Sequence, residues 1–402
     1  MKAFILSIGN EVLLGKTINT NHAFISRRLE TLGINTVKGM VIGDDFEVIK
    51  NEVDSFLNSD ADILFTIGGL GPTHDDLTKE AVASSLGLEL VENDEAKKDM
   101  YNYFKEVKND SNLKQVLFPK DAIILHNKLG SADGAIIYYK NKTIVLLVGP
   151  PYELEPMFNE EVIPNLSGLG KQLLIQEYIV MGNSESYFEN LLYDLYKKHQ
   201  KVDIAPYASN GVIRYRIMAE VTALKAFNKA CSDFKELMDN YVVSDNDKSI
   251  EEVLVELLIN KGLTISFAES ITGGMMASSI ISVPNASRVL KESLVTYSDD
   301  AKMKYLNVDF RGFDAVSLEC VKQMVEGLSN KSKSDINVAV SGYAGPDGDE
   351  VGKYFYAIKA NDLIITAEAK TRGNRDMIRQ RVTKYVLYQT YIFIKEVLEN
   401  NI

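Results

Sequence analysis

Short apolar runs that stop abruptly on glycine, hydroxyl and carboxylate residues restrict the fold of this chain more than any other feature. Ile63–Ile67 gives way to Gly68-Gly69-Leu70-Gly71-Pro72-Thr73-His74-Asp75-Asp76, and Leu263–Ala268 gives way to Glu269-Ser270-Ile271-Thr272-Gly273-Gly274. Ala3–Ile8 and Thr143–Val148 are runs of the same kind. Runs of five or six mostly apolar residues, with only Ser or Thr among them, read as strands buried on both faces. Segments of helical period lie between them: Asn21–Leu32 places Phe24, Ile25, Leu29 and Leu32 on one face, and Phe46–Asn58 and Leu77–Leu86 follow. Strands alternating with helices predict an α/β fold built on parallel sheets covered by helices on both faces.

The pattern divides the 402 residues into three parts. Residues 1–168 form a first three-layer α/β domain. Residues 169–245 form a small α+β module, with strand Leu173–Val180, helix Ser184–His199, an alternating strand and helix Leu224–Asn240. The alternating strand puts Ile213, Tyr215, Ile217 and Ala219 on one face and Arg214 and Arg216 on the other. Polar Ser244–Asp247 reads as a linker. Residues 246–402 form a second α/β domain with strands Leu263–Ala268, Leu294–Tyr297, Asn337–Ser341, Lys353–Ile358 and Ile364–Ala369, closed by a helix from Arg375 to about Leu398.

The net charge of −12, with no basic run to offset it, argues against direct nucleic-acid binding. No apolar stretch reaches the roughly 18–20 residues of a membrane span. The apolar start of the chain lacks the long core and cleavage site of a signal peptide and reads as a first strand. Cys231 and Cys320 show no metal spacing and read as buried thiols. A cytoplasmic protein without membrane partners is expected.

Two segments carry chemistry. Glycines Gly68, Gly69 and Gly71 at a strand's carboxyl end let a phosphate approach the backbone, and Asp75 and Asp76 are positioned to hold a divalent metal. Ala3–Ile8 ends on Gly9-Asn10-Glu11, followed by Asn19-Thr20-Asn21, so Glu11 is expected in the same cleft. The plainer alternatives are that Asp75 or Asp76 caps the next helix and that His74 is a polar loop residue. In the second segment Ser270 sits on a strand-to-helix turn, with the Gly273 and Gly274 amides at the helix start ready for an oxyanion or a phosphate. The alternative is a turn whose Ser and Thr merely cap a helix. Residues 249–402 hold no histidine, which excludes a Ser-His-Asp triad within them.

A family resemblance rests on these residues and others. Ser7-Ile8-Gly9-Asn10-Glu11-Val12-Leu13-Leu14-Gly15, Asn19-Thr20-Asn21, the run from Gly68 to Thr78, and Gly149-Pro150-Pro151-Tyr152-Glu153-Leu154 resemble the CinA, or competence/damage-inducible, family. So do Ala268–Gly274, Val295-Thr296-Tyr297-Ser298 with Lys302, Ala315-Val316-Ser317, Ser341-Gly342-Tyr343-Ala344-Gly345-Pro346-Asp347-Gly348, and Gly373-Asn374-Arg375 with Arg379. The resemblance spans essentially the whole chain.

It implies a MogA/MoaB-like first domain with metal-dependent hydrolysis of ADP-ribose to AMP and ribose 5-phosphate, using Mg or Co. Asp75, Asp76 and Glu11 would be the metal ligands, and Gly68, Gly69, Gly71, Thr73, Asn19 and Asn21 would bind substrate. It implies a last domain, free of cofactor, similar to nicotinamide-nucleotide amidase, which converts NMN to nicotinate mononucleotide and ammonia. There Ser270 is the implied nucleophile, Lys302 its base, and Tyr297 and Glu269 assist. Thr272, Gly273, Gly274, Ser341, Gly342, Ala344, Gly345 and Arg375 would bind substrate. A homodimer is also implied. Taken alone, Glu269 also reads as a structural carboxylate and Lys302 as a solvated helix residue. The chain departs from the family pattern at Asp133 (often Pro), Ile271 (usually Cys), Ser341, Tyr343 and the short segment Gly348–Val351. The alternative function is a non-enzymatic nucleotide- or molybdopterin-binding partner in competence or DNA damage.

Overall fold

The computed structural model describes residues 1–104, 110–166, 168, 170, 173–348 and 350–398. The predicted boundary at 168/169 falls beside undescribed positions, and Asp349 of the short segment also lies outside the described residues. The chain forms two compact units, Met1–Leu173 and Leu174–Ile402.

The first unit has strands β1 (Lys2–Ile8), β2 (Asn35–Ile42), β3 (Ile63–Ile67), β4 (Leu90–Glu92), β5 (Leu117–Pro119), β6 (Ile123–Leu125), β7 (Gly134–Tyr139) and β8 (Lys142–Leu147). Six make one sheet in the order β2-β1-β3-β8-β7-β6, and β4 and β5 pair separately. The first four are parallel, whereas β7 and β6 run antiparallel. The expected all-parallel sheet is therefore mixed. The reason is local: Tyr139 and Lys142 pair across a tight turn at Lys140-Asn141, with Lys140 at φ 52°, so the chain reverses without a crossover helix. Helices α1 (Thr20–Thr31), α2 (Phe46–Leu57), α3 (Thr78–Leu86) and α4 (Asp94–Phe104) surround the sheet. All five residues of β3 are buried, and Phe65 of β3 meets Phe158 at 5.9 Å between ring centres. Burying such a side chain contributes about 1.5–3 kcal/mol.

The second unit opens with a four-stranded sheet, β10-β11-β9-β12, made of β9 (Leu173–Val180), β10 (Asp203–Ser209), β11 (Val212–Glu220) and β12 (Val242–Ser244). Residue Ile213 and the other apolar positions of β11 are buried, as the alternation predicts, against α5 (Glu185–Lys198) and α6 (Leu224–Met238). The exposed-face arginines are spent on ion pairs: Arg214 and Arg216 each meet Glu177 at 3.2 Å.

The five-stranded sheet β14-β13-β15-β16-β17 follows. It comprises β13 (Ile265–Glu269), β14 (Leu290–Val295), β15 (Ile336–Gly342), β16 (Lys353–Ala360) and β17 (Leu363–Lys370). The strands β13, β14 and β15 are parallel, and β16 and β17 are antiparallel additions. Its helices are α7 (Ile250–Lys261), α8 (Met275–Ile281), α9 (Asp299–Leu306), α10 (Leu318–Ser332) and α11 (Arg375–Ile392). Side-chain caps fix four helix starts: Ser249 in a capping box with Glu252, Ser298, Ser317 and Asn374. Beyond Ile392 the last stretch, Phe393–Leu398, winds as a π-helical turn.

Candidate functional sites

In the first unit the carboxyl ends of β1, β2, β3 and β8 open onto a cleft of about 380 Å³. Gly68, at φ 97°, ends β3 with its Cα against the carbonyl of Ile8, where any β-carbon would collide. Glu11, Asp44, Asp75 and Asp76 all line the cleft. Asp44 is the group sequence reading missed. Burial pushes its carboxyl above the usual range, and the charges of Glu11, Asp75 and Asp76 push the same way, against a hydrogen bond from the Asn10 amide. Four carboxylates on one cleft are oxygen donors of the kind a hard divalent cation takes, although their oxygens are not drawn together into a ligand cluster among the described residues. Its one signal was Gly43-Asp44-Asp45 directly after a strand.

Asp75 and Asp76 do not cap α3, whose start has no side-chain cap. Both close back on Thr73: its hydroxyl lies between the two carboxylates, with one proton to share, and its amide donates to Asp76 Oδ2 at 2.8 Å. The Thr73 hydroxyl pulls the Asp75 carboxyl below its ordinary range. Gly69, Gly71 and Thr73 line the cleft as expected, whereas Asn19 and Asn21 do not. Asn19 caps α1 and donates to Ser7 Oγ at 2.9 Å, while Asn21 donates to the Gly149 carbonyl at 2.7 Å. These two are tethers of the cleft wall. His74 is almost fully exposed. Lys114, with no sequence signal, donates to the Thr73 carbonyl at 3.1 Å, and Glu153, reached by Asn127 at 2.7 Å, completes the rim.

Beside the cleft, Asp133 is buried next to His126 and Asp99. Burial raises its carboxyl to about 6, against the opposing Asn127 amide. An acid held above its unfolded value near 3.8 binds its proton more tightly in the folded state. Ionisation therefore costs stability, and that cost develops as pH rises from about 4 through 6. Asp133→Asn is expected to stabilise the protein by up to about 3 kcal/mol at pH 8 and to change little at pH 4. Melting temperatures of both proteins at the two pH values check this.

In the second unit the register aligns Glu269 with Val295 and Val340 on three parallel strands. Ser270, Thr296 and Ser341 are the next residues of each, so they form one row at the carboxyl edge. Glu269 is fully buried, and its carboxylate accepts from the amides of Gly274 (2.9 Å), Met276 (3.0 Å) and Ala277 (3.0 Å) and from Ser293 Oγ (3.2 Å). It is the anion that satisfies the first turn of α8. This corrects two expectations: Glu269 is committed to the turn, and the Gly274 amide is committed to Glu269. The Gly273 amide is likewise taken, by the Ser270 carbonyl at 3.1 Å. Among the described residues, the amides of Ile271 and Thr272 have no acceptor in the chain. Glu269→Gln would turn a donor toward backbone donors. It is expected to cost about 3 kcal/mol and to lower the calorimetric melting temperature of the second unit.

Thr272 and Thr296 carry buried hydroxyls without a partner. Ser270 is 6% exposed. Lys302 is no solvated helix residue: it is 2% exposed, and its Nζ donates to the Tyr297 carbonyl at 3.3 Å and lies 3.6 Å from Asp299. No hydrogen bond joins Ser270 to Lys302 or Tyr297 among the described residues. The Tyr297 hydroxyl instead accepts from Arg375 Nη2 at 3.0 Å, and Arg375 also donates to the Gly345 carbonyl. Arg375 therefore ties the segment after β14 to the loop after β15. Arg379, one turn on, donates to the Thr272 carbonyl at 3.1 Å. Ser341 is a further correction, because its hydroxyl is spent on the Ala315 carbonyl at 2.7 Å. Gly342 approaches Tyr354 of the neighbouring strand so closely that a β-carbon would lie 2.6 Å from that side chain, and Ala344 is buried beside it. Ile271 is buried in the apolar core.

The fold and its two strand-edge sites define a chain with a molybdopterin-binding-type domain followed by a CinA-type domain. Residues 4–168 match the family model "Probable molybdopterin binding domain", and residues 247–393 match "CinA C-terminal domain". A Clostridium novyi protein described as competence-damage inducible is 36% identical over 94% of this chain and 95% of its own length. One from Clostridium perfringens is 38% identical, with 96% and 97% covered. The crystal structure of CinA, of unknown function, from Thermoplasma acidophilum aligns with TM-score 0.40 at 30% identity, covering 42% of this chain and 99% of that one. The chain belongs to the CinA, or competence-damage inducible, family. No helix among the described residues is long and apolar enough to cross a membrane.

Proposed function

We propose that the chain is a bifunctional hydrolase acting on fragments of NAD: NMN deamidation in the second unit and metal-dependent ADP-ribose hydrolysis in the first. The observation that carries the reading is the edge of β13 and β14. There Ser270 stands beside two buried hydroxyls, Thr272 and Thr296, that lack any partner in the chain. Unsatisfied buried polar groups are costly unless a ligand or water completes them.

In the amidase reaction Ser270 Oγ attacks the carboxamide carbon of NMN, and Lys302 takes its proton as the general base. The resulting oxyanion is met by the Ile271 and Thr272 amides, which the turn leaves free, in place of Gly273 and Gly274. The C–N bond then breaks, ammonia leaves with the proton from Lys302, and water hydrolyses the acyl-Ser270 ester to nicotinate mononucleotide. The reaction requires Ser270 and Lys302 to come into contact once substrate is bound; catalytic hydrogen bonds often tighten only at that stage. Tyr297 and Arg375, already joined, hold the rim where the 5′-phosphate would sit.

In the first unit Glu11, Asp44, Asp75 and Asp76 would hold Mg or Co, and the glycine-rich backbone Gly68–Gly71 would receive the diphosphate. A divalent ion bound there supplies charge neutralisation to the phosphate oxygens. Purified protein incubated with NMN and with ADP-ribose, with and without divalent metal, tests both halves. Absence of ammonia and AMP in folded protein would reject the enzymatic reading and favour a nucleotide-binding partner in competence. A cytoplasmic location accords with these substrates. A homodimer is the expected assembly: light scattering at micromolar concentration should give about twice the 44.8 kDa chain mass.

A further inference from the structure

The second unit contains a cavity of about 580 Å³, larger than the first unit's cleft, that none of the proposed chemistry uses. Its walls come from four places: the start of α5 (Gly182–Glu185), the β10–β11 turn (Ala208–Ile213), the end of β17 (Ala369–Thr371), and Tyr354, Arg381 and Tyr385. Ser270, Tyr297, Lys302 and Arg375 are not among them. The cavity is a built feature of the fold. Asn210 at the hairpin turn donates to Gln380 of α11 at 2.6 Å, which fastens the hairpin to that helix. A β-carbon at Gly182 would lie 2.8 Å from the Tyr388 hydroxyl, so the chain there is pressed against the same helix.

The charge inside is lopsided. Lys370 has no ion pair among the described residues. Arg381 donates from Nη1 to the Arg372 carbonyl, but its Nε is buried without an acceptor. Glu185 is the single carboxylate of the lining, and it is exposed. The amides of Glu185 and Ser186, in the first turn of the 14-residue α5, also have no acceptor in the chain. Two cations, Lys370 and Arg381, and a helix start border one space. The rings of Tyr354 and Tyr385, 6.2 Å apart and edge to face, supply an apolar aromatic wall.

We propose that this cavity binds a phosphorylated ligand of nucleotide size, its phosphate on Arg381 and Lys370 and its ring against Tyr354 and Tyr385. The volume falls within the roughly 300–1,000 Å³ of small-molecule sites. Planar, fork-shaped guanidinium suits phosphate oxygens. Arg379 and Arg381 are about 200° apart around α11, so one helix serves the Ser270 turn with one face and this cavity with another.

The test is amide hydrogen exchange of the full chain with AMP, inorganic phosphate or adenosine as probes. AMP is expected to slow exchange in peptides covering residues 182–187 and 208–213, and adenosine is expected to leave them unchanged. Arg381→Gln and the surface change Lys370→Ala should each raise the AMP concentration needed by tenfold or more. Absence of protection in these peptides, or unchanged protection in both variants, would overturn the site. Inorganic phosphate protecting at the same concentration as AMP would overturn the role of the tyrosine wall and hence the nucleotide class.

Discussion

Ser270→Ala is expected to reduce ammonia release from NMN by roughly three to six orders of magnitude while leaving the protein folded. The hydroxyl contributes no hydrogen bond to the turn among the described residues, so its removal should not move the melting temperature. The turn itself is held by Glu269 and by the Ser270 amide, which donates to the Val340 carbonyl at 3.1 Å. NMN affinity should persist, because Arg375, Thr272 and Thr296 remain. The loss therefore belongs in kcat. Lys302→Met keeps the length and the apolar stem of this buried side chain and removes its amine. It should be about as damaging as Ser270→Ala, and the double variant no worse than either, as expected for two groups acting as one unit. Ammonia assays with calorimetric NMN binding separate the outcomes. Wild-type turnover by Ser270→Ala would remove the serine from the chemistry.

The second large effect is expected in the other unit. Asp76→Asn should abolish metal-stimulated hydrolysis of ADP-ribose. The loss should exceed the roughly 10–100-fold that follows when a group merely supporting a metal ligand is removed. Asparagine is the informative change. Its carbonyl oxygen still accepts from the Thr73 amide, as Asp76 does at 2.8 Å, so the loop geometry survives while the charge goes. Rates measured across a magnesium and a cobalt titration give the result. Unchanged metal dependence would reduce Asp76 to a clamp on Thr73. Asp44→Asn should act in the same direction, because Asp44 shares its environment with Glu11, Asp75 and Asp76.

Much of this was legible without coordinates because it is local. Hydrophobic period alone separates Ile63–Ile67 and Leu263–Ala268 from the helices around them, and a strand that ends on glycines and carboxylates in a parallel sheet opens a ligand edge. Gly68–Asp76 and Ser270–Gly274 therefore lie where the pattern put them. What the pattern could not supply is the partner of each polar group. Glu269 belongs to the amides of α8 rather than to a substrate, and that choice depends on how the helix start turns back over β13. Ser341 is drawn to Ala315, and Arg375 reaches Tyr297 across 78 positions, contacts that exist only once three strands lie side by side.

Sheet direction at the edges was likewise hidden. A two-residue reversal at Lys140-Asn141 and a helical crossover give strands of the same composition, so the antiparallel pairing of β7 with β8 is not written in the run Thr143–Val148 itself. Lys302 shows the same division: a lysine at the start of a polar helix carries no burial signal, yet the folded chain leaves it 2% exposed. The long buried strands and the residue types at their ends follow from neighbours within a few positions, whereas short strands such as Leu90–Glu92, Leu117–Pro119 and Ile123–Leu125 carry too few residues for a period, and Leu290–Val295 begins four residues earlier than its apolar pattern suggests. The tertiary structure decided which hydroxyls, amides and cations are already spent and which are left for a ligand, because a hydrogen bond is settled by the group that arrives from elsewhere in the chain.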